Sequence, residues 1–213
     1  MEEIKIMEKP DWVSWDDIHK LLMAAHKKNI EKGIVMKYPQ MPGEEIKKKL
    51  GDEGMCWVAL CGDKLVGTTS VTFFQGKSWW NKNQKVAHGC FTGIIKEYQG
   101  IGITEEFNKR YREYIIQKGV YITEGDTAES NRIMRKIVEN NGHKIVSFYA
   151  PSSNHYNVRF VKWLNGCPFS DKTINRRFRI AKTLTKLQYK PGRVQRNWFI
   201  GKFCNLIKRI INI

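Results

Sequence analysis

The stretch Tyr98-Gln99-Gly100-Ile101-Gly102-Ile103-Thr104 stands between a β-branched run and a helical pattern. A strand that ends in a glycine turn and opens a helix makes an anion site. The first helical N–H groups have no partner within the helix, and the helix dipole adds positive potential there. Glycine lets a phosphate approach the backbone closely. The same turn is also what any tight strand-to-helix connection needs. With no GxGxxG and no Walker lysine, dinucleotide and nucleoside-triphosphate readings find no support. The five cysteines, Cys56, Cys61, Cys90, Cys167 and Cys204, show no CxxC pairing and no metal-ligand spacing, so no metal is expected.

The elements that must position this turn follow from periodicity. Residues 3–7 (EIKIM) alternate as a short strand. Ser14 reads as an N-cap with Asp17 at N3, and Ile18, Leu21, Leu22 and Ala25 follow at helical spacing to about Gly33. A short helix is expected over 43–50, after Pro42. Residues 55–60 and 65–74 read as strands joined by the turn Cys61-Gly62-Asp63-Lys64. Residues 86–95 form the strand before the glycine turn, and a helix runs from Ile103 to Gly119. A strand over 120–123, a helix ending at Asn141-Gly142, and two strands over 144–149 and 158–164 complete the order. The result, β-α-α-β-β-β-α-β-α-β-β, is mixed α/β and not a simple doubly wound sheet. Asp126-Thr127-Ala128-Glu129 has the form of a capping box.

Residues 99–104 resemble the Q/R-x-x-G-x-G/A signature of the GNAT acetyl-CoA-dependent N-acetyltransferases. Downstream, Glu129-Ser130-Asn131-Arg132-Ile133-Met134 and Glu139-Asn140-Asn141-Gly142-His143 resemble that family's Asn-led helix, which closes in a Gly-aromatic pair. The element order matches its fold over residues 2–165. Three positions depart from the pattern. Thr104 replaces the usual final Gly/Ala, His143 stands where Phe is usual, and Val138 stands where many members carry a thiolate-protonating Tyr.

The resemblance implies acetyl-CoA as the donor. Its pyrophosphate would lie on the N–H groups of Gln99, Gly100, Ile101, Gly102, Ile103 and Thr104. The pantetheine arm would pair with the backbone near 92–95, with Ile95 among its contacts, and an N–H near Ile94 would polarise the acetyl carbonyl as an oxyanion hole does. Asn131 and Met134 complete the expected coenzyme contacts, Asn131 by fixing the strand-to-helix loop. Attack by an amine needs a base for its proton and an acid for the departing thiolate. His88, on the strand leading to the turn, is the first candidate base, since imidazole titrates near neutral pH. Glu124 is the rival, with Asp126 behind it. Tyr149, Tyr156 and Cys90 are candidate acids. Trp79 and Trp80 either line an acceptor pocket or pack. The expected activity is acetyl transfer to a primary amine of a small molecule, such as an amino sugar or a membrane-linked acceptor. The alternatives are transfer of a longer acyl or aminoacyl group on the same fold, or a non-catalytic module that binds coenzyme A or a membrane.

The net charge of +16 is unevenly placed. Residues 171–213 hold 12 Lys/Arg against Asp171 alone, a charge of +11, which leaves +5 for residues 1–170. This reads as an acetyltransferase domain over 1–170 and a basic extension over 171–213. Within it, residues 197–213 are amphipathic at helical period. Phe199, Phe203, Leu206, Ile207, Ile210 and Ile211 face one way, and Lys202, Lys208 and Arg209 the other. Such a segment suits an anionic bilayer surface, or packing on its own domain or across a homodimer; nucleic acid is a weaker partner, since no recognised motif accompanies the charge. Scattered thiols and a charged N-terminus without an apolar core point to the cytoplasm, with peripheral attachment to the inner face of the membrane left open.

Overall fold

The computed structural model describes residues 3–34, 41–152, 155–189, 204 and 206–207. Its elements are β1 (Ile4–Glu8), α1 (Trp15–Glu31), α2 (Gly43–Leu50), β2 (Met55–Cys61), β3 (Lys64–Gln75), β4 (Lys85–Ile94), α3 (Ile103–Gln117), β5 (Ile122–Ala128), α4 (Arg132–Asn140), β6 (Lys144–Ser152), β7 (His155–Trp163) and α5 (Asp171–Gln188). A short 3-10 turn, Lys96–Tyr98, precedes α3. The order is that expected from periodicity, with α5 added. The described residues divide into two compact units, Met1–Phe74 with Ala87–Tyr121, and Gln75–Val86 with Ile122–Ile213.

In the first unit the strands run in the order β1-β2-β3-β4, with β1/β2 and β2/β3 antiparallel. The turn between β2 and β3 closes with Cys61 opposite Lys64, and Gly62 takes the positive φ of 56° that such a tight turn demands. Ser14 starts α1 through a full capping box with Asp17, and Ile18, Leu21 and Leu22 are buried along one stripe. Ile18 and Leu22 of that stripe, with Ile46 and Leu50 of α2, pack on Cys56, Val58 and Leu60 of β2. On the opposite face Trp57 meets Tyr114 of α3 edge-on, with centroids 5.5 Å apart. The unit is therefore two helical layers with a sheet between them.

In the second unit the strands run β5-β7-β6, antiparallel throughout. Strand β5 is longer than the four residues expected from sequence, because Glu124 and Asp126 interrupt the apolar pattern while remaining in the ladder opposite Val161 and Arg159. Asp126 consequently caps nothing; Asn131 is the N-cap of α4, its side chain accepting from the Met134 N–H. Gly125 faces the Phe160 ring, where an added Cβ would lie 2.7 Å from two ring carbons.

Helix α5 falls within the segment expected to be a basic extension. Ser170 caps it, and Ile174, Ala181, Leu184 and Thr185 are its buried positions. Phe178 packs on Phe148 of β6, and the Thr185 hydroxyl donates to the Phe148 carbonyl at 3.0 Å. The Tyr156 hydroxyl donates to the Tyr189 carbonyl at the end of the helix. The outermost strand of this unit is thus covered by a helix, which blunts an otherwise open edge. The amphipathic pattern over 197–213 lies outside the described residues, apart from helical Cys204, Leu206 and Ile207. Among the described residues no helix is long and apolar enough to cross a membrane.

His143 explains its own departure from the usual Phe. It stands edge-on to Phe160 with centroids 5.4 Å apart, and its Nδ1–H donates to the Val138 carbonyl at 3.1 Å. Burial, reinforced by Lys162, pushes its imidazole down to about 4, so at neutral pH it packs as an uncharged aromatic ring. The unfolded chain takes up a proton near 6.5 and the folded chain does not, so stability falls as pH drops from about 6.5 towards 4. His143→Phe is expected to match the wild type in urea melts at pH 7.5 and to lose less stability at pH 5. An equal loss in both proteins would show that His143 does not drive this pH dependence.

Candidate active site

The glycine turn has the geometry an anion requires. Gly100 and Gly102 both take left-handed conformations, with φ of 81° and 92°, and a Cβ at either position would meet nothing within 4 Å. Gly102 is the N-cap of α3 and offers no side chain to the helix end. The first helical bond runs from Glu106 N–H to the Gly102 carbonyl, leaving the N–H groups of Ile103, Thr104 and Glu105 without an intrahelical acceptor. The Gln99 side chain donates to the Ile94 carbonyl at 2.9 Å and ties the turn to the end of β4. Among the acids of this first turn, Glu106 is paired with Arg110 at 3.0 Å. The residues present fit a phosphate-bearing group.

Within the first unit β4 is not a regular strand. Gly89 faces Tyr111 of α3, so His88 and Cys90 point to the other face, towards α1 and α2. Phe91 nevertheless joins the same α1/α2 core that Cys90 packs against. Two consecutive side chains on one face require a bulge, and Phe91 has a φ of 49°. Beyond it the alternation is inverted. Gly93 now faces Leu22, Ala25 and His26 of α1, while Ile94 lies beside Gly67 and Phe107 on the α3 side. Ile95 N–H is spent on the Val66 carbonyl, so on an extended chain the Ile94 N–H points away from β3. The bulge is pinned on both sides. The His26 Nε2–H donates to the Thr92 carbonyl at 2.8 Å, and Thr92 and Thr69 share a hydroxyl hydrogen bond of 2.8 Å. Burial holds the His26 imidazole below its ordinary value, keeping it neutral. Sequence reading missed His26; its one signal was a histidine four residues beyond buried Leu22 on an apolar helix stripe.

His88 is half-buried in β4, with its ring 6.3 Å from that of Phe74. Cys90 packs on the core, and burial pushes its thiol up to about 12, so it stays protonated.

The second unit contains Glu124, Asp126, Tyr149, Asn131 and Met134, and joins the first three in a network not expected from sequence. Glu124 is 3% exposed; it accepts from the Trp80 indole at 3.1 Å and from the Asn81 amide at 3.0 Å, and pairs with Arg159 at 3.0 Å. Arg159 also grips Asp126 through two bonds of 2.8 and 2.9 Å, and its guanidinium lies over the Tyr149 ring. Burial pushes Glu124 up, opposed by Arg159 and the Trp80 hydrogen bond. Burial, with Asp126 behind it, pushes the Tyr149 hydroxyl up to about 12. Trp79 and Trp80 are both buried against Ile122, Val146 and Ile174, so they pack and do not line a pocket within this unit. The sequence signal was an arginine within the apolar run Val158-Arg159-Phe160-Val161.

A buried carboxylate deprived of its cation is strongly destabilising, and here one arginine pairs with both Glu124 and Asp126. Arg159→Leu is expected to cost about 3 kcal/mol at pH 7.5 in urea unfolding. Because Glu124 is held above its ordinary range, the folded chain binds its proton first, and stability falls as pH rises through that value. The deficit of Arg159→Leu should therefore shrink at pH 5. A pH-independent deficit would show that Glu124 does not depend on Arg159.

No family model matches the chain, and no curated protein matches it in sequence. Solved structures do match. An acetyltransferase from Streptococcus agalactiae is 17% identical with a TM-score of 0.59, over 77% of this chain and all of the other. Aminoglycoside 6'-acetyltransferase type Ii is 15% identical with a TM-score of 0.57, over 77% of this chain and 99% of the other. A GNAT family acetyltransferase from Elizabethkingia anophelis, solved with acetyl-CoA bound, is 13% identical with a TM-score of 0.53, over 77% of this chain and all of the other. Each neighbour is spanned almost end to end, and the chain has the GNAT acetyltransferase fold expected from its motifs.

Proposed function

We propose that the chain transfers an acetyl group from acetyl-CoA to a primary amine of a small molecule. The observation that carries this reading is the turn at 99–104, where two left-handed glycines open the backbone N–H groups at the start of α3. The bound acetyl-CoA of the Elizabethkingia anophelis neighbour supports the same donor. The N–H groups from Gly100 to Thr104 would hold the pyrophosphate, with the helix dipole behind them. The Ile94 N–H, turned away from β3, is suited to the acetyl oxygen as negative charge develops there. Ile95 contributes side chain only, since its N–H is bonded to Val66. Asn131 and Met134 set the start of α4, through the cap they share.

His88 is the proposed base for the attacking amine. Glu124 is the weaker candidate for that role, because Arg159, Trp80 and Asn81 all claim its oxygens. Tyr149 is the proposed acid; burial pushes its hydroxyl up to about 12, so it carries a proton throughout the neutral range but yields it less readily than a free phenol. Val138 is buried and apolar and offers no proton.

Saturating acetyl-CoA is expected to raise the melting temperature by about 5 °C, as a ligand at a hundred times its Kd does for a chain of this size. Thiol release against a panel of small amines should then reveal turnover, and His88→Gln should lower kcat by about a hundredfold or more while the acetyl-CoA Kd holds. Absence of any thermal stabilisation by acetyl-CoA counts against the donor. Full turnover in His88→Gln counts against the base.

A further inference from the structure

Helix α5 sorts its cations into two groups. Two point inward and are used by the fold: Arg177 lies over the Trp79 ring, and Lys182 lies over Phe148 and pairs with Glu129. Four others, Lys172, Arg176, Arg179 and Lys186, are exposed and make no ion pair among the described residues. At 100° per residue these four fall with Asn175, Thr183 and Leu187 within an arc of about 120°, opposite the buried stripe of Ile174, Ala181, Leu184 and Thr185. The cationic stripe is about 21 Å long at 1.5 Å per residue. The helix's one acid does not offset it, because Asp171 is neutralised by Lys144 at 2.9 Å.

We propose that this outer face of α5 is a docking surface for an anionic lipid bilayer. A row of cations along one face of a helix packed on β6 presents its charges to one side, which suits a flat anionic surface. Leu187, 58% exposed, adds an apolar side chain on the same face at its C-terminal end. Nucleic acid would use the cations but has no need of the exposed Leu187, and no aromatic residue is interleaved among the exposed residues of α5 for base stacking.

The test is co-sedimentation of the full chain with phosphatidylcholine vesicles, with and without about 30% phosphatidylserine. The wild type should partition onto the anionic vesicles alone, and release at about 0.5 M salt as charge attraction is screened. The triple variant Arg176→Gln, Arg179→Gln, Lys186→Gln should partition about a hundredfold less, at about fivefold per basic residue near the surface. If its melt shows loss of fold, the pair Arg179→Gln, Lys186→Gln should still lose about twenty-five-fold. The variant Lys47→Gln, Lys48→Gln, Lys49→Gln removes the same charge from the exposed face of α2 and should bind as the wild type does. Equal partitioning of stripe variant and wild type, equal losses in the α2 variant, or no partitioning of the wild type each overturns the proposal. Loss of duplex DNA binding in the stripe variant, with vesicle binding intact, would assign the stripe to nucleic acid instead.

Discussion

At Phe91 the alternation of β4 slips by one residue, and the side-chain and backbone directions of the next four residues follow from that slip. Before it, His88 and Cys90 share the α1/α2 face; after it, Gly93 takes that face and Ile94 turns towards α3. A one-residue shift inverts every side chain that follows it. The backbone N–H and carbonyl directions change with it, which is how the segment just before the glycine turn comes to present the Ile94 N–H away from β3. A non-glycine residue at positive φ is costly and persists only where its surroundings hold it. Here the Phe91 side chain is anchored in the core, and His26 and Thr69 grip Thr92.

The second unit solves a different problem, the burial of acids within a ladder. Glu124 sits in a strand that is buried on both faces, where an isolated carboxylate would be driven to its neutral form. One arginine from the neighbouring strand pairs with both Glu124 and Asp126, and the Trp80 indole and Asn81 amide both donate to Glu124 Oε2. The Asp126–Arg159 pair fixes register as well as charge, because the two residues are directly opposed across the ladder. These bonds commit Glu124 to partners of its own unit.

Helix α5 shows how one element can serve two surfaces. Its apolar stripe covers the outermost strand of its unit, and its remaining cations are left together on the outside. The segregation follows from helical period alone, but which cations are consumed by packing follows from where Trp79, Phe148 and Glu129 lie.

The sequence by itself determined the element order, the capping of α1, the hairpin at Gly62 and the glycine turn, because each rests on local chemistry: periodicity, a cap, or a backbone conformation that only glycine adopts freely. It also identified the fold through two short motifs, although the chain shares only 11% to 24% identity with its structural neighbours. Strand β5 extends past its apolar residues, since two acids in a strand have the pattern of a loop without the arginine across the ladder. The tertiary structure alone decided that Trp79 and Trp80 pack, that Glu124 is committed to Arg159, and that Phe91 carries the bulge. Each of these depends on partners roughly thirty to ninety-five residues away, and local pattern carries no information about such pairings.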